Sequence, residues 1–294
     1  MRILHIADVH LDRPFVGMEV EAARERRAGM RSALDRCLEL ARSRDVDLVT
    51  IGGDLWEDEH VTPDTIRWVA DRLEHAGRPV VIVAGNHDPL SPGGPFDRAP
   101  FGANVTVLEA SDSLQRVDAG TTTVWGTSWR RGIALTARAL DGFHVPADGR
   151  RHVLLLHGTC GARFDGTPHC PFTAEDVRRA GFDLCLAGHL HAGGVRDGLI
   201  VYPGSPEPLS WSENGRHTAA IVDIPPAGEP RIELVDVNAG RYAVLRVDVT
   251  GATSSADVER STLDAVRELG DPAGLHLRLE LEGRVEPGCE PCHP

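Results

Sequence analysis

The chain has 294 residues, 41% hydrophobic and 26% charged, which is ordinary for one main globular domain with a small accessory unit. No apolar run approaches the roughly 20 residues that a bilayer-spanning helix needs, so we expect no membrane segment and a cytoplasmic location. All 31 basic residues are arginine, which excludes chemistry that needs a Schiff-base or P-loop lysine. The net charge of −13 weighs against a long electropositive track for nucleic acid.

Short β-rich runs alternate with helical patterns through the first two thirds of the chain, which predicts a layered α/β domain. The first predicted elements, in chain order, are a strand at 3–7, a helix at 19–44, a strand at 47–51, a helix at 63–76 and a strand at 79–84. A loop rich in Gly and Pro follows at 85–102. Beyond it the pattern predicts a helix near 132–141 and strands near 105–108, 114–118, 122–127, 152–156, 183–187 and 198–202.

The proline-rich segment at 225–230 is typical of a domain boundary. We therefore expect a catalytic domain at 1–225 and a small C-terminal cap or accessory domain of α+β class at 226–294. The elements predicted in the second domain are strands at 231–236, 242–249 and 275–282 and a helix at 256–269.

The six cysteines do not indicate a disulfide framework, because Cys37 and Cys185 lie in patterns typical of buried, reduced thiols. Near the C-terminus, Cys289, Cys292 and His293 could form half of a zinc site. No partner pair lies nearby, so we expect no functional metal there, and the role of this segment stays open.

Residue types that bind metals follow five of the predicted strands at the point where each strand ends. They are Asp8, His10, Asp54, Asn86, His87, Asp88, His157, His189 and His191. Because ligands of open α/β sheets gather at the carboxyl ends of the strands, we expect these side chains to converge on one site. A lone histidine is more often structural, and it is the ordered set of five motifs that predicts a metal centre.

Carboxylates, imidazoles and one side-chain amide suit borderline divalent ions such as Mn²⁺, Fe²⁺ or Zn²⁺. The absence of cysteine from the motifs argues against a structural thiolate site. Seven of the nine residues, all except His87 and Asp88, are the expected ligands. Seven ligands fit two ions that share one carboxylate. Two ions roughly 3.5–4 Å apart can clamp an in-line displacement at phosphorus, with one of them activating a water.

The ordered series DVH, GGD, GNHD, LHG and GHLH resembles the calcineurin-like metallophosphoesterase superfamily throughout residues 1–210. The segments ILHIADVHLDRPF, GNHDPLSP, HCPFTAEDV and VYPGSPEPLSW resemble its branch of DNA-repair exonucleases typified by bacterial SbcD and YhaO. The resemblance implies a layered αββα sandwich and a metal-dependent phosphodiesterase that hydrolyses DNA. It also implies two divalent ions, with Mn²⁺ expected first and Fe²⁺, Zn²⁺ or Mg²⁺ as alternatives.

Residue by residue, the resemblance implies a separate triad of ligands for each metal. The first triad is Asp8, His10 and His191. The second triad is Asn86, His157 and His189, and Asp54 bridges the two metals. His87 would face the scissile phosphate as a general acid, and Asp88 would orient His87 or its loop.

Two departures separate the chain from this branch. Some of its nucleases have a histidine three residues after the bridging aspartate, where this chain has Glu57. SbcD-type proteins also continue into helices that bind an SbcC-type ATPase, and this sequence ends at Pro294, roughly where those helices would begin. The alternative to a DNA nuclease is therefore a phosphatase or phosphodiesterase for a small phosphorylated metabolite or nucleotide. An SbcC-type partner and a homodimer stay open.

Two further sets of residues have alternative interpretations. Cys160, His169 and Cys170 follow His157 and could add metal ligands, but a wall on the substrate side of the site is favoured. Trp56 and Trp211 lie near motif ends and could stack on bases, with core packing as the alternative.

Overall fold

The computed structural model describes residues 1–133, 137–161, 169–270 and 274–289, so part of the predicted helix near 132–141 lies outside them, as do Cys292 and His293. The chain divides into two compact units. One comprises Met1–Glu207 and Gly215–Asn238, and the other comprises Pro208–Asn214 and Ala239–Pro294. The division into domains at residue 225 stays a prediction.

The secondary structure follows the predicted alternation. The helices are α1 (Val20–Ser43), α2 (Pro63–His75), α3 (Pro95–Arg98), α4 (Ala174–Ala180) and α5 (Ser255–Glu268), with a 3-10 helix at Ala137–Leu140. The strands of the first half are β1 (Arg2–Ile6), β2 (Leu48–Gly52), β3 (Val80–Val83), β4 (Val105–Val107), β5 (Gln115–Ala119), β6 (Thr122–Gly126) and β7 (Arg151–His157). The later strands are β8 (Leu184–Gly188), β9 (Gly194–Arg196), β10 (Ile200–Tyr202), β11 (Thr218–Asp223), β12 (Arg231–Asp236), β13 (Arg241–Asp248) and β14 (Leu275–Glu282).

Two six-stranded sheets form the first unit. The first sheet has the order β12-β11-β1-β2-β3-β4, in which β1 to β4 run parallel and β11 and β12 are antiparallel additions. The second has the order β5-β6-β7-β8-β10-β9, with a parallel centre from β6 to β10 and antiparallel edges. The expected α/β fold with two layered sheets is confirmed. The pattern did not predict the strands β9 and β11 or the helices α3 and α4, and α3 lies inside the predicted loop.

The core of the first unit lies between the two sheets. Side chains of alternate residues from both sheets form one cluster there, including Val81, Val153, Leu155, Leu186 and Val222, each at most 1% exposed. Alternation places every second residue of a strand on the same face, which explains why these strands read as continuous apolar runs. Strands β7 and β8 are buried on both faces, because α4 packs on the opposite side of the second sheet.

Local sequence fixes where the helices begin. Helix α2 starts at Pro63 directly after Thr62, whose hydroxyl accepts a hydrogen bond from the backbone N–H of Thr65 at 3.2 Å. Helix α4 has a capping box formed by Thr173 and Asp176, and it ends at Gly181 with a left-handed φ of 85°. None of the helices in the described ranges is long and apolar enough to cross a bilayer.

The second unit contains a small parallel pair of strands, β13 and β14, and the helix α5. Val247, Val249, Val258 and Cys289 form its buried cluster. The five cysteines within the described residues are all free and buried, as the sequence predicts for Cys37 and Cys185.

The burial of the core between the sheets predicts how much a cavity there lowers the free energy of unfolding. Val153 is fully buried and Val195 is 43% exposed, so Val→Ala at the two positions removes the same atoms from different surroundings. We expect Val153→Ala to lower the free energy of unfolding by about 2 kcal/mol and Val195→Ala to leave it nearly unchanged. Urea denaturation of the two variants measures both values. Equal losses would contradict the assignment of Val153 to the core.

Candidate metal centre

The predicted site residues sit where parallel strands of both sheets end. Asp8 and Asp54 come two residues after β1 and β2, and Asn86 comes three residues after β3. His157 is the last residue of β7, and His189 directly follows β8. The two sheets thus deliver their ligands to a common end of the sandwich.

The backbone at four of the predicted ligands is left-handed. The φ angles are 54° at Asp8, 50° at His10, 51° at Asp54 and 97° at His189. Such conformations cost roughly 1–2 kcal/mol each for residues with a side chain. Hydrogen bonds between neighbouring loops hold them, since the N–H of Asp8 donates to the carbonyl of Gly53 at 3.0 Å and that of His10 to the carbonyl of Asp54 at 2.9 Å.

Two glycines allow the loops to approach each other closely. A Cβ at Gly85 would lie 2.2 Å from Oδ1 of Asp54, and a Cβ at Gly53 would lie 2.5 Å from Nδ1 of His157. Gly53 also has a φ of 92°, which favours glycine by itself. These glycines of the GGD and GNHD motifs are therefore needed for the packing of the site.

All seven predicted ligands come together. The ligand atoms of Asp8, His10 and His191 lie within 4.8 Å of one another, and so do those of Asp54, His157 and His189. The side-chain oxygen of Asn86 lies close to His157 and His189 of the second group.

Asp54 and Asn86 lie at the centre of this arrangement. Oδ2 of Asp54 is 3.6 Å from Nε2 of His10 and 3.3 Å from Nε2 of His157. Oδ1 of Asn86 is 2.9 Å from Nε2 of His157 and 3.1 Å from Nδ1 of His189. A carboxylate placed between two clusters is the geometry that a bridging ligand requires.

His10 and His157 are oriented as metal ligands should be. Nδ1 of His157 is 2.8 Å from the carbonyl of Gly52 and donates to it, so Nε2 is directed at the centre. Nδ1 of His10 is likewise 2.9 Å from Oε1 of Glu57. Nε2 of His10 is buried and has no hydrogen-bond partner among the described residues. An orphaned buried nitrogen beside two carboxylates fits a divalent cation well.

The titratable groups of the site shift one another's pKa values. Burial raises the pKa of Asp8. Burial opposes ionisation of Asp54 as well, but the nearby His157 and His10 outweigh it and lower the pKa of that carboxyl. The pKa of His157 rises to about 9 despite its burial, because Asp54 lies beside it. The two carboxylates therefore depend on positive charge at this centre.

Glu57 connects the centre to His87. Its Oε2 is 2.9 Å from Nδ1 of His87, while its Oε1 accepts from His10 and, at 3.1 Å, from Arg13. The hydrogen bond to Glu57 raises the pKa of His87, whose side chain is 42% exposed. Sequence reasoning treated Glu57 only as a departure from related nucleases. Its spacing of three residues from Asp54 was the available signal.

Asp88 acts on the backbone around it. Its carboxylate is buried and accepts hydrogen bonds from the N–H groups of Gly85 at 2.6 Å, Asp54 at 3.1 Å and Leu55 at 2.6 Å. Burial and the charge of Asp54 raise its pKa to about 7. The sequence predicts that Asp88 orients either His87 or its loop. Its contacts support orientation of the loop, because Glu57 holds the ring of His87.

The tryptophans differ in their surroundings. Trp56 is fully buried, and its ring packs against Phe96 at a centroid distance of 4.8 Å. The prediction that Trp56 could stack on bases is therefore wrong, and the alternative of core packing is correct. Trp211 lies in the second unit, 4.4 Å from the ring of Tyr242.

Residues 1–193 match the family described as calcineurin-like phosphoesterase. The chain belongs to this family. As a metallophosphoesterase it is a hydrolase acting on phosphoesters, and the family uses a dinuclear metal site, for which the clusters around Asp54 are the candidate ligands.

Several characterised and uncharacterised proteins are similar to this metallophosphoesterase. The uncharacterized metallophosphoesterase YhaO of Bacillus subtilis is 25% identical over 95% of this chain and 72% of its own length. The DNA double-strand break repair protein Mre11 of Methanopyrus kandleri is 24% identical over 88% of this chain and 62% of its own length. The SbcD component of the nuclease SbcCD of Escherichia coli is 34% identical, over 31% of this chain and 22% of its own length.

A solved structure supports the fold alone. The crystal structure of TT1561 of Thermus thermophilus is similar with a TM-score of 0.50 and 14% identity, covering 81% of this chain and 99% of that one.

The position of Asp54 between the two clusters predicts how metal content responds to substitution. Asp54→Asn removes the charge shared by the two clusters, whereas His87→Asn leaves all seven candidate ligands in place. We expect roughly two metal equivalents per chain to survive in His87→Asn and well under one in Asp54→Asn. Metal analysis after gel filtration measures both. Equal metal loss in the two variants would refute the division between ligand and non-ligand.

The contact between Glu57 and His10 predicts that removing the Glu57 carboxylate lowers the metal affinity of the first triad. Loss of a partner that orients a ligand histidine typically costs 10–100-fold in metal affinity, and we expect about that loss for Glu57→Ala in a Mn²⁺ titration. Glu59→Ala removes an exposed carboxylate only two residues away and serves as the control. An equal effect of both variants would show that only general charge matters.

Proposed function

We propose that this chain is a dinuclear phosphodiesterase that cleaves DNA, with Mn²⁺ as its working metal and Fe²⁺, Zn²⁺ or Mg²⁺ as alternatives. The observation that carries the proposal is a pair of largely buried ligand clusters, linked where Oδ2 of Asp54 in the second lies 3.6 Å from Nε2 of His10 in the first. Two divalent ions bound there would supply a metal-activated water and positive charge at the phosphoryl oxygens.

The protein's own part in the reaction is to position groups and to exclude water. Asp8, His10, Asp54 and His157 are at most 1% exposed, so the ligand atoms are fixed by packing before any substrate arrives. A site built in this way needs little reorganisation during the reaction. The substrate phosphate would meet the centre from the side on which His87 is exposed.

His87 is the proposed general acid. Glu57 holds its Nδ1, which leaves Nε2 to donate a proton to the leaving oxygen. The carboxylate also favours the protonated ring, as the raised pKa of His87 indicates. Asp88 contributes indirectly, because it holds the backbone N–H groups on which the position of Asp54 depends.

DNA as substrate is supported by the relatives. The name of Mre11 describes DNA repair, that of SbcCD describes a nuclease, and YhaO is similar over nearly the whole chain. An SbcC-type ATPase partner is a proposal that rests on the name of SbcCD. A homodimer is a proposal that no relative's name supports.

A small phosphorylated metabolite or nucleotide is the second candidate substrate, and the charges favour it. The net charge is −13. Arg13 is paired with Glu57, the partner of His87, and Arg131 is paired with Asp58, whose backbone N–H donates to the carbonyl of His87. Paired arginines contribute less to the binding of a long phosphate backbone.

One set of assays separates the two substrates. The Mn²⁺-loaded protein is incubated with single- and double-stranded DNA, with bis-p-nitrophenyl phosphate, with p-nitrophenyl phosphate and with a cyclic nucleotide. We expect cleavage of DNA and of the synthetic diester, both abolished by chelation. Cleavage of DNA should also fall as salt is raised, since contacts to several phosphates release counterions. Turnover of the monoester or the cyclic nucleotide with DNA left intact would contradict the nuclease proposal.

A further inference from the structure

A second imidazole that is not a predicted ligand lies beside the centre, next to a different ligand histidine from the one that His87 contacts. The ring centroid of His169 is 5.0 Å from that of His189 and 5.7 Å from that of Trp129. The ring of His87 instead contacts that of His10 at 4.8 Å. His10 and His189 belong to different predicted triads, so these two imidazoles contact different parts of the centre.

The backbone holds His169 in this place. The N–H of Thr159 donates to the carbonyl of His169 at 2.9 Å, and the N–H of Phe172 donates to the carbonyl of Thr159 at 3.1 Å. Gly158 allows the close approach, since a Cβ there would lie 2.5 Å from the carbonyl oxygen of Cys170. Cys170 itself is buried. These contacts anchor His169 against the end of β7, which carries His157.

Trp129 is anchored just as firmly. Its indole Nε1 donates to the carbonyl of His157 at 2.9 Å, and its backbone N–H donates to the carbonyl of Ala84 at 3.1 Å. Trp129 is half-buried, so part of its surface is accessible. His169 is half-buried as well.

A phosphodiester differs from a monoester by one group. When the leaving oxygen departs beside His87, the diester keeps a second ester group on the phosphorus, and a monoester has none. An aromatic surface with an available N–H group is suited to such a group when it carries a nucleoside, because rings stack on bases and the N–H can donate to an oxygen.

We propose that His169 and Trp129 form a wall that binds the retained ester group of a phosphodiester and thereby gives the site its preference for diesters over monoesters. The inference rests on the proposed function, because it takes the centre to be a phosphoesterase site with His87 at the leaving group.

The test compares two substrates in the same variant. For the Mn²⁺-loaded protein, kcat/KM is measured with bis-p-nitrophenyl phosphate and with p-nitrophenyl phosphate. We expect His169→Ala and Trp129→Leu each to lower the ratio of diester to monoester activity by at least roughly five-fold, as loss of one stacking contact would. His75→Ala, on α2 and with its side chain 71% exposed, is the matched control and should leave the ratio unchanged.

Metal content is measured alongside, because a purely structural effect would lower both activities together. An equal fall for the two substrates, loss of metal, or an unchanged ratio would overturn the wall while leaving the proposed function intact. A wild-type protein that hydrolyses no diester with any of the proposed metals would overturn both.

Discussion

Two buried carboxylates, Asp8 and Asp54, impose the constraint on which the rest of the site depends. Each is at most 1% exposed, and an ionised carboxylate in a dry interior is strongly unfavourable unless positive charge lies beside it. The strands of both sheets end where imidazoles can surround these groups. The left-handed backbone at the ligands and the close approach at Gly85 are consequences of bringing so many donors to one point. Two divalent ions satisfy the same requirement and give the family its chemistry.

Glu57 links two functions that are usually considered separately. One of its oxygens orients His10, a predicted metal ligand, and the other orients His87, the proposed acid. Occupancy of the first metal site and the position of the acid are therefore coupled through a single carboxylate. His169 lies outside this network, beside the second triad, and its proposed role concerns the substrate and not the metal.

Much of the fold and the convergence of the candidate ligands could be predicted from the sequence, because both depend on local patterns. Apolar runs mark the central strands, and the predicted ligands follow them directly, so convergence of Asp8, Asp54 and His157 required only the general behaviour of parallel sheets. What could not be predicted depends on contacts between distant residues. The antiparallel pairing of β11 with β1 joins opposite ends of the first unit, and the choice of Glu57 over Asp88 as the partner of the His87 ring depends on side-chain packing. Burial of Trp56 has the same origin.

The central claim is that seven residues hold two ions with Asp54 between them. Anomalous X-ray scattering at the manganese edge, from crystals grown with Mn²⁺, tests it most directly. We predict two peaks roughly 3.5–4 Å apart, both within coordination distance of Asp54. One peak should contact the first triad, represented by His10, and the other the second triad, represented by His157. A single peak, or peaks bound away from Asp54, would contradict the account.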